Sequence, residues 1–147
     1  MDKHTGWELS PEQWTPEQWQ EIRWGIRSGV DVSVYAHPEY TDFQMREIRL
    51  GLERGLDIHW YARPAFDHHQ MGVIREGLEK GLDVRAYAKQ AFTWEQMTYI
   101  KRGLVRGLDV SAYARPELST AQMDDLYHKL LAHSVKLSGQ KKDDPER

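Results

Sequence analysis

The chain has 147 residues and no Cys, and its 20 Lys and Arg nearly balance its 23 Asp and Glu. A net charge of −3 is too small to indicate a nucleic-acid or membrane partner, and a chain without Cys has no disulfide and no thiolate zinc site. No apolar segment follows Met1 and no run of about 18 apolar residues occurs, so we expect a cytoplasmic protein that does not enter a membrane.

The chain begins with a predicted disordered segment, residues 1–6, and a capping half-unit over residues 7–17, which includes Trp7 and Trp14. A repeat of 26 residues then keeps one register through four units. The units are 18–43, 44–69, 70–95 and 96–121. Six positions are identical in all four, and in the first unit they are Gln18, Gly25, Gly29, Asp31, Tyr35 and Ala36. An internal repeat of this length is typical of stacked supersecondary units.

Each unit is predicted to start with a long helix. In the second unit Thr41 is the N-cap and Gln44 at N3 completes a capping box, while Tyr40 and Met45 flank it as a hydrophobic staple. The device recurs with N-caps at Thr15, Asp67, Thr93 and Ser119. Gly55 is expected to end the helix as a C′ cap after about 13 residues.

The long helix also carries a glycine in its interior, Gly51 in the second unit. Such a glycine costs about 1 kcal/mol relative to alanine, so its recurrence indicates a compensating close approach, which we assign to the neighbouring helix. A short second helix is predicted from Ile58 to Ala62, stopped by Pro64. The third unit has Gln90 in place of that proline, and there we expect the short helix to run slightly further.

A helix pair of this size buries its apolar faces only by stacking on its neighbours. The sequence therefore predicts an all-α fold, an α-solenoid of four helix-pair repeats with half-repeat caps, forming a single domain over residues 7–137. Residues 122–137 form the C-terminal cap helix, in which Lys129 and His133 replace the two helix glycines. The charged tail, residues 138–147, is predicted to be disordered.

The segment over residues 44–66, QMREIRLGLERGLDIHWYARPAF, resembles an uncharacterised repeat of about this length in bacterial mobile-element and phage-like proteins. The resemblance covers roughly residues 9–130. It implies a bacterial cytoplasmic protein and is compatible with action on a host or defence component. It brings no catalytic residues.

Motifs of enzymes are missing from the sequence, which has no G-x-S-x-G, H-E-x-x-H, P-loop or G-x-G-x-x-G. We therefore predict a non-enzymatic protein without cofactor or metal. The repeated Asp31, Asp57, Asp83 and Asp109 are interpreted as caps of the short helices. His59, His68 and His69 are the nearest approach to a metal-ligand cluster, and a metal there is not favoured.

Basic residues recur in register and could follow a phosphate backbone, which makes nucleic-acid binding the alternative function. The candidates are Arg23, Arg49, Arg75 and Lys101, and also Arg63, Lys89 and Arg115. Structural uses compete with this interpretation. Arg49 with Glu53 and Arg75 with Glu79 can pair at i, i+4, and the remaining basic residues of the long helices could bond to the Asp residues of an adjacent unit.

Large aromatic residues break the repeat at positions that are not part of the core. Because Trp and Tyr are frequent interface anchors, we predict binding of another protein through Trp24, Leu50, Trp60, Trp94 and Tyr99. Trp24 and Leu50 lie one repeat apart and are expected to be neighbours in an apolar patch. The competing interpretation is that these residues seal the N-terminal end or fill gaps between units. Self-association through an open end is a further possibility.

Overall fold

A computed structural model describes residues 11–142, and their side chains over residues 12–137. Within that range all regular secondary structure is helical, with no strand. The α-helices are α1 (Pro16–Ser28), α2 (Asp42–Glu53), α3 (His68–Glu79), α4 (Trp94–Val105) and α5 (Thr120–Lys142). None of the helices in this part of the chain has both the length and the apolar character needed to cross a bilayer.

The chain divides into two compact units between Glu79 and Lys80. In the first unit α1 packs on α2 and α2 packs on α3, and in the second unit α4 packs on α5. The most deeply buried side chains recur at the repeat interval, as the tyrosines Tyr35, Tyr61, Tyr87 and Tyr113 and the methionines Met45, Met71, Met97 and Met123 do. This confirms the predicted all-α helical-repeat fold.

The helix ends follow the predicted chemistry. In the second repeat the Gln44 N–H donates to Thr41 Oγ1 at 3.1 Å, and the Thr41 N–H donates to Gln44 Oε1 at 2.8 Å. At the other end Gly55 has a left-handed φ of 69°, and the Leu56 N–H donates to the Gly51 carbonyl at 2.9 Å. These bonds form a capping box and a Schellman motif, as predicted, and they bound α2 at 12 residues.

The short second helix differs from the prediction. It is a 3-10 helix of three residues, Ile58–Trp60 in the second repeat, and not an α-helix that reaches Ala62. The expected extension in the third repeat is also wrong, because the equivalent 3-10 helix again has three residues, Val84–Ala86. Proline therefore does not set its end. What ends it is a tight turn in which the Lys89 N–H donates to the Tyr87 carbonyl at 2.7 Å.

The helix glycines Gly25, Gly51 and Gly103 each pack against the tyrosine of their own repeat. A Cβ built on Gly51 lies 2.6 Å from Ile58 Cγ2 and 3.2 Å from Tyr61 Cζ, and closer still to the phenol oxygen. The Tyr61 hydroxyl donates to the Glu47 carbonyl at 2.6 Å, so the ring is held in place. The prediction of close approach is confirmed, but the approaching group is the 3-10 segment of the same repeat rather than a neighbouring long helix.

The capping glutamines Gln18, Gln44 and Gln96 also bind the turn that leads into the next long helix. The Gln44 Nε2 donates to the Phe66 carbonyl at 2.7 Å and to the Pro64 carbonyl at 3.3 Å. Gln18 makes the same bond to the Tyr40 carbonyl at 2.8 Å. In these three repeats the glutamine thus has two roles, since it caps its own helix and binds the turn before the next one.

The chain ends agree with the sequence in part. Trp14 is buried, as its role in the N-terminal cap predicts, whereas Trp7 and the predicted disordered residues 1–6 lie outside the described residues. Helix α5 continues to Lys142, so residues 138–142 of the predicted disordered tail are helical. No proline occurs in this stretch before Pro145, so no strong stop signal interrupts the helix.

Candidate functional site

A network of ion pairs links the long helices of the first unit. Arg49 on α2 donates from Nε to Glu21 on α1 at 2.9 Å and from Nη1 to Glu53 at 2.8 Å. Ser28 donates to the same Glu53 carboxylate at 2.9 Å. The side chains of Arg49 and Glu21 are only 12% and 9% exposed. The guanidinium is therefore held in one orientation by carboxylates from two helices.

The same arrangement recurs one repeat later, between α2 and α3. Arg75 donates to Glu47 at 2.7 Å and to Glu79 at 2.6 Å, and Arg54 also pairs with Glu79. The predicted i, i+4 pairs are confirmed. The second partner of Arg49 and of Arg75 is a glutamate on the preceding long helix. Arg23, one of the remaining basic residues of the long helices, donates to Gln20 and not to an aspartate. The aspartates instead cap the 3-10 helices, as Asp57 does for the His59 N–H at 3.3 Å.

The ion pairs favour the charged forms of both Glu53 and Arg49. Partial burial tends to raise the pKa of Glu53, but hydrogen bonds from Arg49 and Ser28 outweigh it and hold that pKa below its usual value. Burial would lower the pKa of Arg49, whereas its two carboxylate partners raise it. Both groups stay ionised at neutral pH.

Trp24 lies against this network. The guanidinium carbon of Arg49 is 5.3 Å from the centroid of the Trp24 ring, at the distance of a cation–π contact. The indole is nevertheless 42% exposed. It borders an open groove of about 500 Å³ between α1 and α2, whose other lining residues are Glu21, Arg27, Ser28, Arg46, Arg49 and Glu53. An aromatic surface is thus presented among charges of both signs.

The other predicted anchors have separate surroundings. Leu50 is half-buried on α2, and the α2 residue stacked on Trp24 is Arg49. Trp60 is half-buried in the 3-10 helix Ile58–Trp60. The remaining two lie in the second unit, where Trp94 is 38% exposed and Tyr99 is half-buried with the Arg102 guanidinium 4.9 Å from its ring centroid.

The candidates for phosphate binding are largely occupied by protein groups. Arg49 and Arg75 each hold two carboxylates. Arg115 pairs with Glu117 at 2.9 Å, and Arg23 donates to Gln20 at 2.8 Å. Arg63 lies over the Phe66 ring at 5.6 Å. Of the rest, Lys89 is exposed and Lys101 is half-buried.

The sequence interpretation overlooked Phe43, which is 54% exposed and the most exposed aromatic side chain of the described region. Its ring stacks on His68 at 4.9 Å, and His68 lies 4.0 Å from His69. The signal was present, because Phe43 stands where the other three repeats have His69, Glu95 and Ala121. The described residues contain no group of three His, Asp or Glu side chains that could hold a metal ion.

Comparisons of the chain with protein-family models, with curated proteins and with solved structures find no match.

Replacing Arg49 by methionine is expected to lower the free energy of unfolding of the first unit by about 1–3 kcal/mol, because Glu21 loses its partner while buried. Arg46→Met is the matched control. Arg46 is exposed on the same helix and forms no ion pair with a described residue, so its change should cost less than about 0.5 kcal/mol. Urea unfolding of both variants measures the difference. Equal costs would show that the network contributes no stability.

Proposed function

We propose that this chain is a non-enzymatic, protein-binding helical-repeat module that holds its partner at the groove beside Trp24. One observation carries the proposal, namely an exposed indole bordering an open groove whose charges alternate in sign. Protein interfaces are enriched in Trp and Arg, and their strongest anchors are aromatic side chains that become fully desolvated on binding.

The contact between Arg49 and the Trp24 ring favours the same function. Arg49 is fixed by two carboxylates and lies against the indole, which restricts the ring before a partner arrives. A side chain that is already ordered loses less conformational entropy on binding, so more of the contact energy appears as affinity.

Nucleic-acid binding along the basic residues is the weaker alternative. A phosphate at Arg49 or Arg75 must compete with two carboxylates already bound to each guanidinium. We place the activity in the bacterial cytoplasm, which rests only on the resemblance of the repeat to mobile-element and phage-like proteins. In that setting a host or defence protein is the partner to search for.

The test is an affinity capture from bacterial lysate, with and without nuclease, using the wild type, Trp24→Ala and Phe43→Ala. Phe43→Ala is the control, because it also removes an exposed aromatic side chain but one that does not line the groove. We expect a protein that the wild type and the control retain, that Trp24→Ala loses, and that nuclease does not release. Binding to the purified partner should fall by more than about 30-fold in Trp24→Ala, as for an anchor worth 2 kcal/mol or more.

Two results contradict the proposal. If Trp24→Ala retains every protein that the wild type retains, the groove is not the binding site. If nucleic acid is recovered and the protein bands disappear after nuclease treatment, the function belongs to the basic residues.

A further inference from the structure

Trp24 and Glu21 line two surface depressions that differ in their charged residues. One is the groove described above, whose cations are Arg27, Arg46 and Arg49. The other is a smaller depression of about 290 Å³, which we call the acidic depression. It is lined by Pro16, Glu17, Gln20, Glu21 and Asp42 together with Trp24 itself.

The charges available to a ligand differ between the two sides. In the groove Glu21 and Glu53 are both bonded to Arg49, so these three charges are already used. Arg27 and Arg46 form no ion pair with any described residue and stay exposed. In the acidic depression Glu17 and Asp42 likewise have no cationic partner among the described side chains. The net result is two unpaired cations in one depression and two unpaired carboxylates in the other, with the indole common to both.

We propose that the partner segment held by this surface is dipolar. It places an apolar or aromatic side chain on Trp24, an Asp or Glu side chain at Arg27 and Arg46, and a Lys or Arg side chain at Glu17 and Asp42. The inference rests on the proposed function and adds the charge order and the orientation of the bound segment. Guanidinium groups bind carboxylates with directional, charge-assisted hydrogen bonds, and opposite charges across an interface fix its register.

The same arrangement argues against a nucleic-acid strand. A strand carries one negative charge for every phosphate, so a strand stacked on Trp24 would place a phosphate beside Glu17 or Asp42 as well as beside the arginines. Like charges in direct contact are unfavourable. A peptide meets both sides of the surface because its charges can change sign within a few residues.

The experiment is a selection of random 12-residue peptides displayed on phage against the full chain. Four proteins are compared: the wild type, Trp24→Ala, the double variant Arg27→Glu/Arg46→Glu, and the control Lys89→Glu/Lys136→Glu. The control removes two exposed lysines from the second unit and has the same net charge as the double variant. Wild type and control should enrich peptides with an apolar residue between an acidic and a basic end, in one order, and Trp24→Ala should enrich none.

The double variant decides the inference. Its enriched peptides should carry basic residues where the wild type selects acidic ones, and a peptide selected on the wild type should bind it at least tenfold more weakly. If the double variant enriches the same peptides as the wild type, the dipolar inference is wrong while Trp24-dependent protein binding stands. If no Trp24-dependent peptide appears and a single-stranded oligonucleotide or a second copy of the chain occupies the surface, both proposals fail. Fluorescence anisotropy and sedimentation of the wild type measure those two outcomes.

Discussion

Gly51→Ala is expected to lower the free energy of unfolding of the first unit by about 2–3 kcal/mol, although alanine is the better helix former by about 1 kcal/mol. The added methyl group would overlap Ile58 Cγ2, only 2.6 Å away, and the phenol oxygen of Tyr61. Neither neighbour moves easily. The Tyr61 ring is fully buried and its hydroxyl is bonded to the Glu47 carbonyl at 2.6 Å. Overpacking of a rigid site therefore outweighs the gain in helix propensity.

Gly72→Ala is the matched control for this prediction. Gly72 is also inside a long helix, but a Cβ there meets nothing closer than Glu47 Oε1 at 3.6 Å, an ordinary contact. We expect this variant to raise the free energy of unfolding by up to about 1 kcal/mol. Chemical denaturation followed by circular dichroism measures both changes. In addition, Tyr61→Phe should recover part of the Gly51→Ala loss, and purely additive effects in that double mutant would refute the steric explanation.

Alkaline unfolding is the second large effect, because the repeat buries a tyrosine in every unit. Burial raises the pKa of Tyr35 and Tyr61, and it raises the pKa of Tyr113 from 10.0 to about 12. Below pH 10 both the folded and the unfolded chain keep these protons, so stability is unaffected. Between pH 10 and 12 these tyrosines lose their protons in the unfolded chain but keep them in the folded chain. Each one then lowers the free energy of unfolding by about 1.4 kcal/mol per pH unit.

For Tyr113 the whole shift corresponds to about 3 kcal/mol, and the three phenols together approach the total stability of a small domain. We therefore expect cooperative unfolding between pH 10 and 12, with phenolate absorbance appearing together with the loss of helical circular dichroism. Tyr61→Phe should reduce the steepness of this loss in the first unit. If Tyr61→Phe removes phenolate absorbance that the wild type shows before any loss of helix, the Tyr61 ring is accessible to solvent in the folded chain and the prediction is wrong.

The sequence predicts the features that depend on nearby residues. Thr41 and Gln44 are three positions apart, so their capping box is determined by local geometry, and the same holds for the αL glycine Gly55. The predicted length of the 3-10 helix was wrong because the tight turn that ends it includes Tyr61, whose ring is held against Gly51. A ring whose hydroxyl bonds to a carbonyl 14 residues earlier is not a local signal.

In the candidate site, too, the sequence predicts the local contacts but not the contacts between residues distant in sequence. The Arg49–Glu53 pair follows from i, i+4 spacing, but the bond from Arg49 to Glu21 crosses 28 residues and requires the packing of α1 on α2. Once that packing is known, Glu47 and Arg75 are seen to repeat the interval of 28. Trp24 is recognisable from sequence as a departure from the repeat. Its exposure and the two depressions beside it depend on side chains of α2, which the sequence does not bring together.

The forward bond of the capping glutamine has a consequence for how this gene can change. Gln18, Gln44 and Gln96 each reach a carbonyl 22 residues ahead, at an equivalent position in the next turn. Deleting or duplicating 26 residues in frame keeps such a carbonyl 22 residues ahead of each of these glutamines. Unequal recombination can therefore lengthen or shorten the array without leaving their side-chain amides unmatched. Chain length is then a heritable variable that selection can adjust separately from the surface around Trp24.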